Sequence, residues 1–431
     1  MKILITNTVV LNGGDAAILC ALINVLKKVF GDNTEFVVCD KQPDIAKKYY
    51  SGIEFRRSLY LSAIDSLPRI RGIRYLRWLK LLPFYFAVWC LQNKLCFVAR
   101  LILSKDTLRD IALYNSADLI VSTGGTYLVE NYDIVPRIFD YKVSLLMDKA
   151  LVFFTQSLGP FSKRKNRTAL SNIFSRALFI LLRDEKSREH LVNLGVKMCK
   201  VRVVPDVAFS LPAKEIPKIS TSEAFDQKQF LNIGISVRHW PFFKKVDKKV
   251  GMKTYMEVIG KAVIHLTNKY NANITFISTC QGIPEYWTDD SRIAMSIWSN
   301  LPDNIKKSVR VDQDFHTPSE LLEMLASFDI IIATRMHMAI LSLVAGTPVL
   351  PIAYEFKTQE LFNQLGLAAW MQDIEALETE TFREVVDSFL KQFPEKSKAV
   401  FDKVAQERER AMDSGKPVKE AYDNWLKQKQ S

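Results

Sequence analysis

Short runs of aliphatic and β-branched residues alternate with helical patterns along most of the chain. In the first half the apolar runs are KILITNTVV (2–10), EFVVC (35–39), DLIVST (118–123), ALVFFTQS (150–157), LFILLRD (178–184) and VRVVP (201–205). Between them, stretches such as AAILCALINVLKKVF and SREHLVNLG read as helices. Strands with no polar alternation are buried on both faces, and intervening helices supply the cover, so the pattern predicts parallel sheets. After PDVAFSLP the stretch AKEIPKISTSEAFDQKQ has no periodicity, and residues 212–229 are expected to be a linker. The alternation then restarts with LNIGISVR, a helix near 253–270, NITFIST, a helix near 289–299, SVRVDQ, TPSELLEMLASF, DIIIAT, MHMAILSLVAG and TPVLPIA. The expected fold class is α/β: two Rossmann-like doubly wound domains, 1–211 and 230–377, facing a cleft where strand C-termini and helix N-termini converge. A charged helical tail is expected over 378–431.

One segment departs from this pattern. Residues 67–103 read LPRIRGIRYLRWLKLLPFYFAVWCLQNKLCFVARLIL, in which Arg69, Arg71, Arg74, Arg77 and Lys80 precede an uncharged, aromatic-rich run from Leu81 to Leu91. That run is too short to span a bilayer, which takes about 20 apolar residues. Two readings stay open: an amphipathic segment in a lipid headgroup region, with peripheral membrane contact, or a helical hairpin buried on the first domain or in a dimer interface.

Composition changes the picture only a little. The 431 residues are 48% hydrophobic and 25% charged, the profile of a folded chain. The net charge of +12 suits nucleic acid, an anionic membrane surface or small anionic substrates. Its basic residues are spread out, without a nucleic-acid-binding signature, so no nucleic-acid partner is expected. Six scattered cysteines and five histidines show no ligand spacing, so no metal is expected. The N-terminus enters a strand directly rather than through a leader, and a cytoplasmic location with reduced thiols is expected.

Candidate chemistry collects at strand ends. Three glycine loops follow three strands of the first half: NGGD (Asn12, Gly13, Gly14, Asp15), STGGTYL with Gly124 and Gly125, and QSLGPF with Gln156. Each taken alone is also ordinary turn chemistry, with Asp15 as a helix cap. Together they would line one sheet rim, as loops for an acceptor or a phosphate. Arg183 closes the run LFILLRD, and Arg238 follows the strand in GISVRHW; each is either an anion ligand or half of a surface ion pair. In HTPSELLEML, Thr317, Pro318 and Glu320 have the form of a capping box and are structural, and His316 just before them is expected to be exposed and idle. Arg335 and His337 sit where DIIIAT exits into the next helix, whose N-terminus adds partial positive charge. An anion would bind there with an imidazole able to exchange protons beside it. Lys357 follows the next strand, so Arg335, His337, Lys357 and Arg238 could converge on one anionic ligand.

The order NGGDAAI, VSTGGTYL, QSLGPF, RDEKSREHLVNLGV, VPDVAF, GISVR and ATRMHMAILSLVAGTPVLPIAYEFK resembles the polysaccharide pyruvyl transferase family, from residue 7 to about 366 without 52–110. Members are similar in fold to GT-B glycosyltransferases and move pyruvyl from phosphoenolpyruvate to sugar hydroxyls as a ketal. The resemblance implies His337 as the catalytic histidine, Arg335 and Lys357 as donor contacts, and Arg183 and Arg238 as further donor contacts. It implies phosphoenolpyruvate as co-substrate, no other cofactor, and a sugar or lipid-linked oligosaccharide acceptor in bacterial exopolysaccharide or capsule biosynthesis. Asp15 is a candidate base for the acceptor hydroxyl. The sequence departs from the family where Gln156 and Ser157 stand in place of leading glycines, and where Met338 and MAILSL stand in place of a Gly-rich run. The alternative is a GT-B glycosyltransferase using a nucleotide sugar, for whose ribose Glu355 and Glu360 remain available.

Overall fold

The computed structural model describes residues 1–65, 77–212 and 229–430, the side chains of residues 77–80, 356 and 357 excepted. Two compact units result: one of Met1–Val10, Ile18–Val207 and Arg410–Ser431, the other of Leu11–Ala17 and Ala208–Glu409. The expected linker lies, except for residues 212 and 229, outside the described residues. The expected tail is helical, Thr379–Met412 and Lys416–Gln430. It does not stand apart: residues up to Glu409 group with the second unit and Arg410 onward with the first.

The strands of the first unit are β1 (Lys2–Thr6), β2 (Glu35–Asp40), β3 (Glu54–Arg57), β4 (Leu119–Ser122), β5 (Gly125–Leu128), β6 (Ala150–Leu158), β7 (Phe179–Leu182) and β8 (Val201–Val203). They form a parallel sheet in the order β3-β2-β1-β4-β6-β7-β8, with β5 paired to β6. The second unit contains β9 (Asn232–Ser236), β10 (Asn273–Phe276), β11 (Val309–Val311), β12 (Ile330–Ala333), β13 (Val349–Ala353) and β14 (Gln372–Asp373). Their order, β11-β10-β9-β12-β13-β14, is the 3-2-1-4-5-6 order of a dinucleotide-binding fold, again wholly parallel. Each sheet is therefore an α/β doubly wound sheet, as the alternating pattern predicts.

The central strands are as apolar as a two-sided burial requires. β4, β6, β7, β12 and β13 are buried at every position. The strands that the apolar pattern misses are β3, β5 and β14. β3 is EFRR with only Phe55 buried, β5 is the Gly-containing GTYL, and β14 is two residues long. None of these has the continuous apolar run that a central strand shows. β1 is shorter than its apolar run because Asn7 turns the chain, with φ of 64°. The capping box forms as expected: Thr317 accepts from the Glu320 N–H, and Glu320 accepts in return.

Within the segment 67–103, residues 67–76 lie outside the described residues. The remainder forms helices Arg77–Gln92 and Cys96–Ile102. One side of this pair buries Leu81, Phe84, Ala87, Val88 and Ala99 in the core of the first unit. Phe84 and Tyr85 each lie 5.2 Å from the Phe139 ring. The hairpin reading therefore holds for that side.

Candidate active site

Sheet order decides which strand exits are neighbours. In the second unit β10, β9, β12 and β13 are adjacent, with Ile235 opposite Phe276, Ser236 opposite Ala333, and Ala333 opposite Pro351. The residues that follow these strands therefore share one rim, beside the point where strand order reverses between β9 and β12. That reversal is where ligands settle in sheets of this kind.

Arg335 leaves β12 and precedes the helix Met336–Val344 without capping it. Its guanidinium is instead gripped by Asp290, with Nε to Oδ2 at 2.5 Å and Nη2 to Oδ1 at 2.8 Å. Burial opposes the Arg335 charge, but the Asp290 carboxylate more than offsets it and holds the guanidinium above its ordinary pKa. Asp290 also accepts from the Ser278 hydroxyl, and its own N–H donates to the Cys280 carbonyl at 2.8 Å. Sequence reading missed Asp290, because DDSR before a helix looks like simple capping. Asp289 does that work, accepting from the Ser291 N–H at 3.0 Å. Asp290, next to it, makes no cap bond.

Arg238, leaving β9, is held differently. Its guanidinium carbon lies 4.1 Å from the centre of the Tyr354 ring and 4.9 Å from that of Trp240. No carboxylate pairs with it among the described residues. Among the described residues its guanidinium makes one hydrogen bond, a long contact to the His239 carbonyl at 3.4 Å. Tyr255 ties this arrangement together from the helix Lys248–Tyr270: its hydroxyl lies 2.8 Å from Thr334 Oγ1 and also bonds to the Arg238 backbone. Trp240, Tyr354 and Tyr255 were not singled out from the sequence. The signal for two of them was present, since Trp240 follows Arg238 by two residues and Tyr354 ends the run TPVLPIAY.

His337 is the second residue of the helix Met336–Val344, whose first N–H groups have no intrahelical acceptors. It meets the first glycine loop, whose residues 11–17 group with this unit. A Cβ on Gly14 would fall 2.9 Å from both Cβ and Nδ1 of His337, so only glycine admits the imidazole there. Gly13 is pressed equally hard: its N–H donates to the Thr279 carbonyl at 2.8 Å, and a Cβ would approach that oxygen to 2.5 Å. The loop NGGD is thus clasped between the exits of β10 and β12. Asn12 hydrogen-bonds Tyr286, and Asp15 lies close enough to act electrostatically on Tyr286 and Cys280. Burial pushes the Cys280 thiol up to about 12, with Arg335 pulling it down and Asp290 and Asp15 pushing it up. Cys280 is therefore a neutral thiol, unsuited to act as a nucleophile.

The remaining expected residues divide. Lys357 belongs to the first turn of the helix Phe356–Gln364, and its side chain lies outside the described residues. Arg183 belongs to the first unit, where its donors go to Asp206, to Ser157 Oγ at 2.8 Å and to Thr126 Oγ1 at 2.8 Å. Gly124 and Gly125 lead into β5 of the same unit, and Gln156 is fully buried there, its amide donating to Ser122 and Thr123. Met338 is 0% exposed and faces the core of the second unit. A bulky residue beside the histidine is accommodated because the helix turns it away from the rim.

The rim also holds buried polar atoms that make no hydrogen bond among the described residues: Ser236 Oγ, Thr279 Oγ1 and Trp240 Nε1. Buried polar atoms without partners are where a polar ligand or ordered water is satisfied. The rim can thus bind an anion through Arg238 and the helix N-terminus, with an imidazole and a carboxylate beside it.

Comparison with known proteins agrees with this frame. A family model described as polysaccharide pyruvyl transferase matches residues 12–355. The amylovoran biosynthesis protein AmsJ of Erwinia amylovora is 30% identical over 297 residues, covering 68% of this chain and 70% of AmsJ. Among solved structures, Anabaena Alr3699/HepE in complex with UDP-glucose superposes with a TM-score of 0.57 at 12% identity, over 99% of this chain and 100% of that one. The UDP-GlcNAc 2-epimerase of Neisseria meningitidis, bound to UDP-GlcNAc, gives 0.55 at 13% identity, over 98% and 99%. At such identities these two structures speak to the fold alone, a GT-B-like pair of Rossmann-type units.

Proposed function

The chain belongs to the polysaccharide pyruvyl transferase family, and from that premise we propose that it transfers the pyruvyl group of phosphoenolpyruvate to a sugar as a cyclic ketal. The acceptor in this reading is a lipid-linked oligosaccharide of exopolysaccharide or capsule biosynthesis, met on the cytoplasmic side of the membrane. The carrying observation is the rim of the second unit, where Arg238 lies against the touching rings of Trp240 and Tyr354 without a carboxylate among the described residues, and where His337 packs on Gly14.

Phosphoenolpyruvate carries a phosphate and a carboxylate, so its site needs fixed cations and oriented N–H groups. Arg238, Lys357 and the N-terminus of the helix Met336–Val344 are the proposed donor-binding groups. Arg335 contributes indirectly, because Asp290 already takes two of its donors. Arg183 is left out of the donor set, its donors being committed within the first unit. His337 delivers a proton to the methylene carbon, which becomes the methyl group, and C2 becomes electrophilic. One sugar hydroxyl bonds to C2 and the C2–O bond to phosphate breaks. A second hydroxyl of the same sugar then closes the ketal. Of the two hydroxyl protons, one leaves with inorganic phosphate and the other restores His337. Asp15 is the proposed base for the attacking hydroxyl. The chemistry calls for no metal and no cofactor beyond the co-substrate.

The test is product analysis with phosphoenolpyruvate and a panel of galactosides, glucosides and mannosaminides. Acceptor-dependent phosphate release, with the mass of one pyruvyl ketal added to the sugar, is expected. Release of a nucleoside diphosphate from a nucleotide sugar, without phosphate from phosphoenolpyruvate, would instead establish the glycosyltransferase that the shared fold also accommodates.

A further inference from the structure

The helix pair Arg77–Gln92 and Cys96–Ile102 buries one side and leaves the other in water, although that outer side is just as apolar. Leu82 is 51% exposed, Phe86 50%, Trp89 47%, Leu95 47%, Phe97 73% and Leu101 71%. Leu82, Phe86 and Trp89 stand at i, i+4 and i+7, so they form one stripe on the first helix, and Phe97 and Leu101 form one turn of a second. Phe86 and Trp89 stack on each other, 6.0 Å between centroids at 18°. A water-facing helix side is normally polar, and contiguous apolar exposure of this kind marks an interaction surface.

Charge identifies the partner. Residues 66–103 contain seven Lys or Arg and no Asp or Glu. Lys94 and Arg100 are exposed among the apolar side chains. A second copy docking through the same patch would set these cations against their own images with no carboxylate between them, because a two-fold interface is self-complementary. An anionic surface resolves both features at once. Aromatic and aliphatic side chains enter the headgroup–acyl boundary while the cations meet lipid phosphates. No helix among the described residues is long and apolar enough to cross a membrane, so the contact lies in the interface.

We propose that the outer side of this helix pair, centred on Phe86, Trp89, Phe97 and Leu101 and ringed by Lys94 and Arg100, is a docking surface for an anionic lipid bilayer. The inference does not depend on the donor assigned above, and vesicle binding is measured without catalysis.

The experiment is co-sedimentation of the full chain with vesicles of phosphatidylcholine alone and of phosphatidylcholine with one quarter phosphatidylglycerol, at low and high salt. Wild type is expected to partition at least tenfold more strongly onto the anionic vesicles, and to lose most of that preference at high salt. Phe97→Glu with Leu101→Glu should lower partitioning at least tenfold without changing the thermal midpoint, since both side chains are outside the core. Lys94→Gln with Arg100→Gln should remove at least tenfold on the anionic vesicles only, about fivefold per cation. Equal sedimentation of wild type and the double glutamate variant, or none of wild type, overturns the proposal. A concentration-dependent dimer in light scattering that the glutamate variant abolishes overturns it as well, and assigns the surface to a second copy.

Discussion

The two units share a strand order up to their fourth strand, yet they treat a rim arginine in opposite ways. In the first, Arg183 is held edge-on: Asp206, Ser157 and Thr126 take its N–H groups, and its side chain is 6% exposed. In the second, the Arg238 guanidinium lies over the rings of Tyr354 and Trp240. A guanidinium has five donors in its plane and none on its faces. An aromatic pair therefore fixes the position of the charge without consuming its hydrogen bonds, whereas a carboxylate consumes them. Arg335 shows the edge-on solution on the same rim as Arg238, with Asp290 as its partner. How an arginine is held thus decides whether its donors stay available to a ligand.

The largest effect expected is at the histidine. His337→Ala should lower pyruvyl transfer by about 10²–10⁴ in kcat, the range of a general acid. Its thermal unfolding should match that of wild type. Activity within tenfold of wild type would remove His337 as the proton donor.

Next comes the edge-on arginine. Arg183→Ala removes the ion-pair partner of the buried Asp206 carboxylate and should destabilise the first unit by about 3–5 kcal/mol, read as an early urea transition. The KM for phosphoenolpyruvate, measured where the variant is still folded, should not move. A raised KM at unchanged stability would mean that the two rims share one role, and the contrast between them would fail. Arg238→Ala is the mirror experiment: about a hundredfold loss in kcat/KM for phosphoenolpyruvate, carried mostly by KM, with little change in unfolding. Arg238→Lys should not restore it, because an ammonium neither stacks on Tyr354 nor forks to two oxygens.

Much of this frame is legible in the sequence because it is written in local patterns. Fully apolar runs mark central strands, and the exits of β1, β9, β12 and β13 carry the loops and side chains noted there. The glycine pair Gly13–Gly14 is also legible as a close-approach loop, although not what it approaches: Thr279 and His337 are more than 250 positions away, and only the fold brings them together. Asp290 is not legible for the same reason. Its partner Arg335 lies 45 residues on, and an aspartate before a helix already has an adequate local explanation. Arg183 and Arg238 look alike as strand-end arginines, and of the partners that separate them Asp206, Thr126 and Tyr354 come from other elements, while Trp240 stands two residues from Arg238. Periodicity reports which face a residue takes, and not which side chain waits there.

The smallest effect concerns one buried aspartate from each unit. Asp290 has Arg335 against it, whereas Asp140, on the helix Val135–Leu146, has the Tyr60 N–H at 3.0 Å and no ion pair among the described residues. Burial raises the Asp140 carboxyl from 3.8 to about 7, against the lowering pull of the Tyr60 hydrogen bond, Arg137 and Lys41. Between those two values the folded chain keeps a proton that the unfolded chain has lost, so stability falls as pH rises through the window and levels off above about pH 7. The single group contributes a loss of about 2 kcal/mol between pH 5 and pH 7. Asp140→Asn keeps the shape of the protonated carboxyl and cannot ionise, so the variant should gain on wild type by that amount across the same interval in urea unfolding. Parallel stability curves would show that Asp140 is charged in the fold, and that the first unit compensates this carboxylate as fully as Arg335 compensates Asp290 in the second.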